Sequence, residues 1–374
     1  MSASARQLGS SSPTLAFGVV AAAAGALILW LGRGGWFFHD DCDFLHHRSL
    51  AEPVSLFVPH NEHAVVLPAV AYRAVADLAG AESYLPFLAL LVAAHIATAA
   101  GLFAILRAQS VSLALGAAGL FIFFGSGADN LFWAFQITFI GSTAFGVWGL
   151  WAALRDRWRL ASILLVGSVF SSLVGLPFLI AVAVLAWFRR RRELAWLLLP
   201  ILLLAGWWWT FARGWVRPPD WAADAYGSPL NLESWAGVPV FLFEAAAWTI
   251  ADVTGQGLAF ALAYLIVGTG AILVAISRGW RPSPLQVAAL LGLVSFAVMA
   301  GVVRAGAEHR FESRFVYVTA LFALLMLPRV RMTPIRWGLA GLVLVIALTA
   351  NVVALQTAAV RWDMRASEVL ACEL

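Results

Sequence analysis

Apolar runs of close to twenty residues follow one another along the whole chain, and no water-soluble fold can bury that many of them. With a window of about twenty residues, they fall at 14–32, 85–106, 110–125, 131–153, 160–188, 194–210, 257–277, 284–303, 315–328 and 337–357. Composition agrees with this pattern: of 374 residues, 62% are hydrophobic and 12% charged. That is about half the charge an ordinary soluble surface carries. A soluble globular enzyme, a disordered chain, collagen and a coiled coil are all excluded. The first run is too long for a signal-peptide core and ends in Trp30-Leu31-Gly32 without a small-x-small cleavage site, so it reads as a signal anchor. A net charge of +4 would suggest nucleic acid in a soluble protein. Here the charge is sorted by membrane side instead, and no nucleic-acid partner is expected.

The run 160–188 is the informative one. Arg155, Arg157 and Arg159 precede it, and Arg189 to Arg192 follow it. Arginine favours the cytoplasmic side, and one straight helix cannot begin and end on the same side. Two short helices forming a hairpin, broken around Ser171-Ser172-Leu173-Val174-Gly175-Leu176-Pro177, meet both demands. The expected fold is therefore an all-α polytopic membrane protein of about 11 transmembrane helices, its N-terminus inside and its C-terminus outside. This topology places 14 of the 24 basic residues, all arginine, and only two of the 20 acids on the inner side. The outer side keeps 10 arginines and 18 acids, so the two faces carry +12 and −8. The expected organisation is a single transmembrane domain over 1–357 with a short outer tail over 358–374.

Three outer segments are longer than simple turns: 33–84, 211–256 and 304–314. Loops of that size in a compact protein are usually functional. Within the first, Glu62 to Ala79 reads as an amphipathic helix along the interface, with Val65, Val66, Val70, Tyr72 and Val75 available to lipid. Many of the 18 tryptophans fall near span ends, as in Trp207-Trp208-Trp209, where an aromatic belt is expected.

Nearly every ionisable side chain lies at a span end or in a loop. At bilayer depth the polar exceptions are mainly His95 and Gln136. Coupled transporters generally need buried relays there, so the chemistry is expected on the outer face. The densest polar cluster is His39-Asp40-Asp41-Cys42-Asp43, followed by His46-His47-Arg48 and His60-Asn61-Glu62-His63; five of the seven histidines fall within 39–63. A solvated loop with capping aspartates is one reading. Against it, Trp36-Phe37-Phe38 anchors the loop at the water–lipid boundary, where desolvation makes a carboxylate a useful base. A divalent metal held by Asp41, His60 and His63 is a third reading, although the spacing matches no closed zinc signature. Cys42 and Cys372 both fall on the outer side and could pair, yet two cysteines so far apart give no framework. A second cluster, Arg304, Glu308, His309, Arg310, Glu312 and Arg314, is either a set of surface ion pairs or a guanidinium clamp for a phosphate. In a third, Asp129 to Gln136, Gln136 could reach an outer cavity, with helix–helix hydrogen bonding as the alternative. No phosphate-binding loop is present.

This pattern resembles the GT-C superfamily of polytopic glycosyltransferases, whose donors are polyprenyl-phosphate-linked sugars. The likeness rests on the cytoplasmic N-terminus, about eleven spans, a long first outer loop with interfacial helices, and the acidic pair Asp40-Asp41 just after the first span. In that superfamily the first-loop aspartate acts as catalytic base, which implies Asp40 as base and Asp41 as its partner or a metal ligand. The chain departs from the many members that carry Asp-Glu at this point and a soluble C-terminal domain. The resemblance implies an inverting transfer to a glycan or glycolipid acceptor on the outer face of a bacterial plasma membrane. Arg304, Arg310 and Arg314 would hold the donor phosphate, and His60, Asn61, His63 and Gln136 would contact substrate. No cofactor is required by this reading, and a divalent metal stays open. A lipid-linked glycan flippase and an O-antigen polymerase or ligase are the competing classes. A pocket joining Asp40 to an opening toward lipid would discriminate among them.

Overall fold

The computed structural model describes residues 12–214, 232–304, 313–328 and 333–368. Helix α1 (Ser12–Leu31) leads through a loop to the short α2 (Asp40–His46) and to α3 (Val66–Ala79). The bundle continues with α4 (Leu85–Leu106), α5 (Val111–Ile122), α6 (Asp129–Phe132), α7 (Ile137–Leu154), α8 (Trp158–Val169), α9 (Gly175–Arg189) and α10 (Leu198–Trp207). Beyond residue 231 come α11 (Leu232–Ala236), α12 (Val238–Thr254), α13 (Leu258–Ser277), α14 (Pro284–Arg304), α15 (Ser313–Leu325) and α16 (Pro334–Glu368). Among the described residues, eight helical stretches are long and apolar enough to cross a membrane, and four apolar helices are shorter. α13 turns Phe260, Ile266, Val267 and Leu273 outward, each more than 60% exposed. A contiguous apolar face of that kind belongs against lipid.

α7 is the most enclosed of the long helices, and small residues let its neighbours close on it. A Cβ on Gly146 would stand 2.3 Å from the Phe178 ring of α9, and one on Gly101 of α4 would stand 2.6 Å from Val147. Where lipid supplies no hydrophobic drive between helices, such close backbone approach is what packs them.

Side-chain contacts sort the helix ends into two sets. At one, Arg107 donates to Thr14 (3.3 Å), and Arg189 donates to the carbonyls of Ala153 and Leu154 (3.2 and 2.9 Å) and pairs with Asp156 (3.6 Å). At the other, Tyr84 donates to Phe132 O, Trp133 to Phe38 O, and Asn130 to Arg314 O. The Arg189 contacts bring both flanks of 158–189 to the arginine-rich end, and α8 and α9 are the expected hairpin.

Three expectations are corrected. The segment 211–256, read as loop, contains α11 and α12, and Leu232–Thr254 is itself long and apolar enough to cross. Both ends of α12 meet the end of the bundle opposite the arginines: Phe241 packs on Gly301 and Phe315, while Asn351 donates to Asp252 O and accepts from Ser126 N–H. The tail 358–374 is helical through Glu368, with Ala358, Ala359 and Trp362 buried. The helix expected at the interface begins at Val66 rather than Glu62, and Val65 before it and Val66 and Tyr72 within it are buried instead of being presented to lipid. Val70 alone of the five is exposed.

Candidate functional site

The site is built on α2. His39, at φ 48°, turns the chain into the helix, and Asp41 reaches back to accept the Phe38 N–H at 2.9 Å. Residues three apart share a helix face. Asp40 and Asp43 therefore point one way and Asp41 another, which separates the adjacent pair Asp40-Asp41. Asp41 is fully buried and accepts from Tyr72 Oη (2.6 Å) and Trp133 Nε1 (3.2 Å). Burial raises its carboxyl to about 7 against the opposing pull of those hydrogen bonds. It anchors α2 and does not stand beside Asp40 as a partner.

Across from Asp40 and Asp43 lies the turn Pro59 to His63. His60 and His63 exchange backbone hydrogen bonds (His60 N–H to His63 O 3.2 Å, His63 N–H to His60 O 2.9 Å). The two residues between them, Asn61 and Glu62, sit at φ 48° and 68°. A two-residue turn with both central φ positive suits asparagine and glycine; Glu62 pays for the conformation with roughly 1–2 kcal/mol. Three of the four non-glycine residues with positive φ among the described residues, His39, Asn61 and Glu62, surround this site. Strain of this kind concentrates where function over-determines the backbone. Buried Arg48 holds the approach to the turn by donating to the carbonyls of Ser55, Val58 and Pro59.

His60 lies between the two carboxylates. Its Nδ1 is 2.9 Å from Asp43 Oδ2 and its Nε2 is 3.1 Å from Asp40 Oδ1, with the ring between Phe135 and Phe44. Burial pushes the Asp43 carboxyl up, but the hydrogen bond and charge of His60, then Arg48, hold it at about 2. His63 faces away: its Nδ1 accepts the Leu173 N–H (3.1 Å) and lies 3.3 Å from Ser172 Oγ, at the tip of the α8–α9 hairpin. Burial first, then the charges of His60, Arg304 and Arg314, lower it to about 4. Asp41, His60 and His63 therefore do not converge as a metal site, and no group of three or more His, Cys, Asp or Glu among the described residues could hold an ion.

Two cavities meet at Glu62. The smaller, of about 150 Å³, is lined by Asn61, Glu62 and His63 from the turn, by Leu173 and Val174, and by Arg304 and its neighbours on α14 and α15. The larger, of about 400 Å³, is an open groove between α9 and α10 walled by Leu176, Leu179, Ile201, Leu204, Trp207 and Trp208. Glu62 and Leu173 line both. Trp207 fixes the top of the groove by donating to Phe57 O (2.8 Å).

The arginines behave differently from one another. Arg304 lines the small cavity, and Arg304 and Arg314 both lie over the Phe315 ring, at 5.9 and 5.3 Å. Arg310, with Glu308, His309 and Glu312, lies outside the described residues. The third cluster supports this one, since Asn130 donates to Arg314 O and Ser313 donates to Asp129. Gln136 sits in a short turn before α7, buried, with no hydrogen-bond partner for Oε1 among the described residues. His95 uses both nitrogens structurally, at 2.9 Å from Tyr317 Oη and 3.0 Å from Ile122 O. Cys42 is in a disulfide, while Cys372 lies outside the described residues.

Sequence reasoning missed Asp43, Glu62 and the groove. The i,i+3 spacing from Asp40 was the available signal for Asp43. Compared with protein families, with characterised proteins and with solved structures, the chain finds no match.

Proposed function

We propose that the chain is a membrane glycosyltransferase that transfers a sugar from a polyprenyl-phosphate donor to a glycan or glycolipid hydroxyl on the outer face of a bacterial plasma membrane. The observation that carries this reading is the meeting, at Glu62, of an apolar groove open to the side of the bundle with a cavity lined by Arg304. A groove walled by leucine and tryptophan suits a prenyl chain. A guanidinium beside its inner end suits the phosphate that links chain to sugar. The donor's sugar would then lie by the turn that carries His60 and Asn61; Asp40 lines neither cavity and reaches this turn through His60 Nε2, at 3.1 Å.

In this reaction Asp40 takes the proton of the acceptor hydroxyl as its oxygen attacks the anomeric carbon. The bond from that carbon to the phosphate oxygen breaks, and its electron pair leaves with polyprenyl phosphate. Attack opposite the leaving group inverts the centre. Asp40 supplies general base catalysis, and Arg304 and Arg314 stabilise the charge developing on phosphate. Purified protein incubated with a panel of polyprenyl-phosphate sugars and acceptors should release free polyprenyl phosphate. The Asp40→Asn variant should release it about a hundredfold or more slowly while still binding donor. No release with any donor on the panel would count against the reading, as would full activity in folded Asp40→Asn.

A further inference from the structure

We propose that His60 is a positioning residue that acts as the built-in cation of the site, an imidazolium clamped between Asp43 and Asp40. The case rests on hydrogen-bonding capacity. A neutral imidazole has one donor and one acceptor nitrogen, whereas ionised carboxylates only accept. Both ring nitrogens of His60 face carboxylate oxygens, at 2.9 and 3.1 Å, and its side chain is only 9% exposed. In either neutral tautomer one nitrogen lone pair would be pressed against a carboxylate with little water to intervene. Only the doubly protonated ring can donate to both sides.

The surroundings accept that charge. Arg48 lies 3.3 Å from Asp43, and His47 Nδ1 is 3.1 Å from its other oxygen. Asp40, Asp43, His60 and Arg48 together then sum to zero charge, which a half-buried cluster tolerates far better than two unpaired carboxylates. His63, whose ring turns away toward Leu173 but whose charge is still felt by His60, stays neutral near pH 7 because burial and the nearby cations hold it near 4. Burial alone would lower His60, but Asp40 and Asp43 outweigh it and raise it above the ordinary value.

The clamp assigns work to each group. Asp43 fixes the ring through Nδ1. The ring in turn holds Asp40 by Oδ1, leaving Oδ2 for an acceptor hydroxyl. The Nε2 contact is short but out of line for a formed hydrogen bond, a geometry that commonly tightens when substrate binds. The cationic ring occupies the point between the two carboxylates, so the site draws its positive charge from the protein itself. This step of the inference rests on the transferase reading; the protonation state of His60 does not.

The test is therefore spectroscopic first. Full-length protein with ¹⁵N-labelled histidine, in detergent micelles, is titrated by NMR, with His60 assigned by the signal lost in His60→Gln. If that variant does not fold, His60 is assigned by elimination from single His→Gln variants at the other six histidines. Both His60 nitrogens should carry protons at pH 7. Asp43→Asn and Asp40→Asn should each weaken its proton affinity about tenfold or more. A ring with one bare nitrogen at pH 7, or a midpoint that neither variant moves, would overturn the proposal. In the transferase assay Asp43→Asn should then lower kcat at unchanged donor KM and move the alkaline limb of the pH profile to lower pH. An imidazolium found in a protein that transfers no sugar would leave the clamp standing and remove the transferase reading.

Discussion

Replacing Asp41 with asparagine separates a structural aspartate from a catalytic one by a pH measurement. Asp41 is fully buried, and its carboxyl is raised from 3.8 to about 7 in the folded chain. Below pH 3.8 both folded and unfolded forms are protonated. Between 3.8 and about 7 the unfolded chain gives up this proton and the folded chain keeps it, so folding loses stability as pH rises through that window. Roughly three units at 1.36 kcal/mol each give a loss of about 4 kcal/mol, complete above pH 7. Asparagine imitates the protonated carboxyl and does not titrate. The two proteins should match near pH 4, and Asp41→Asn should be the more stable at pH 8, its apparent melting midpoint in detergent higher by on the order of 5 °C.

Comparison with the parent is essential, because other groups in the loop titrate too. His63, lowered to about 4, adds stability as pH rises from 4 to 6.5 and so opposes Asp41 in the parent protein. His60, raised, loses its contribution as pH climbs past 6.5. Both are common to parent and variant and cancel in the difference. A midpoint difference that stays constant from pH 4 to 8 would refute the account of Asp41 as a buried, destabilised anchor.

Three further outcomes are expected. Arg304→Lys and Arg314→Lys should each weaken binding of a lipid-phosphate analogue, since one ammonium cannot reproduce a guanidinium fork; unchanged affinity in both would remove the phosphate site. Leu204→Trp should fill the groove and lower affinity for long-chain donors at least tenfold, while a short-chain, water-soluble analogue binds as before. Cysteines placed at Arg157 and Arg190 should both resist a membrane-impermeant thiol reagent added from outside, and labelling of only one would break the hairpin.

The spans were legible because their apolar residues are contiguous. The helices that were missed are the ones in which charge interrupts the run. α12 carries Glu244 and Asp252, and its stretch has the lowest mean hydropathy of the eight, 1.4. The last turns of α16 contain Arg361 and Asp363 and so read as tail, yet Trp362 between them is buried against Phe38 and Trp133. In the site, the density of aspartate and histidine marked the right segment but not the right pairing. Adjacent residues suggested Asp40 with Asp41, whereas a helix pairs Asp40 with Asp43 and sends Asp41 to Tyr72. The groove left no trace in sequence: Leu176, Leu204 and Trp208 are ordinary lipid-facing residues until α9 and α10 are set side by side.

The hairpin connects the charge pattern to the chemistry. Helices of 12 and 15 residues reach about 18 and 22 Å at 1.5 Å per residue, short of the roughly 30 Å hydrocarbon core. α8 starts and α9 finishes at the arginine-rich end, so in a bundle that spans a bilayer the tip at 170–174 would fall short of the far side. Its exposed backbone must be satisfied by protein, and the first loop does this: Leu67 N–H donates to Phe170 O (3.2 Å), and Leu173 N–H donates to His63. The first loop is therefore seated on the tip through Leu67 and His63, which holds the turn with His60, Asn61 and Glu62 beside it. On the proposed transferase reading, the shortfall of α8 and α9 is what would place these polar groups at the depth of a lipid's phosphate, beside the groove. Lengthening the hairpin by one helical turn in each arm should lift the turn off its seat. His63 would lose the Leu173 N–H, and its proton affinity should rise toward that of an ordinary histidine, which the same ¹⁵N titration would detect. A His63 midpoint left near 4 in a folded, lengthened protein would show that the tip does not set the depth of the site.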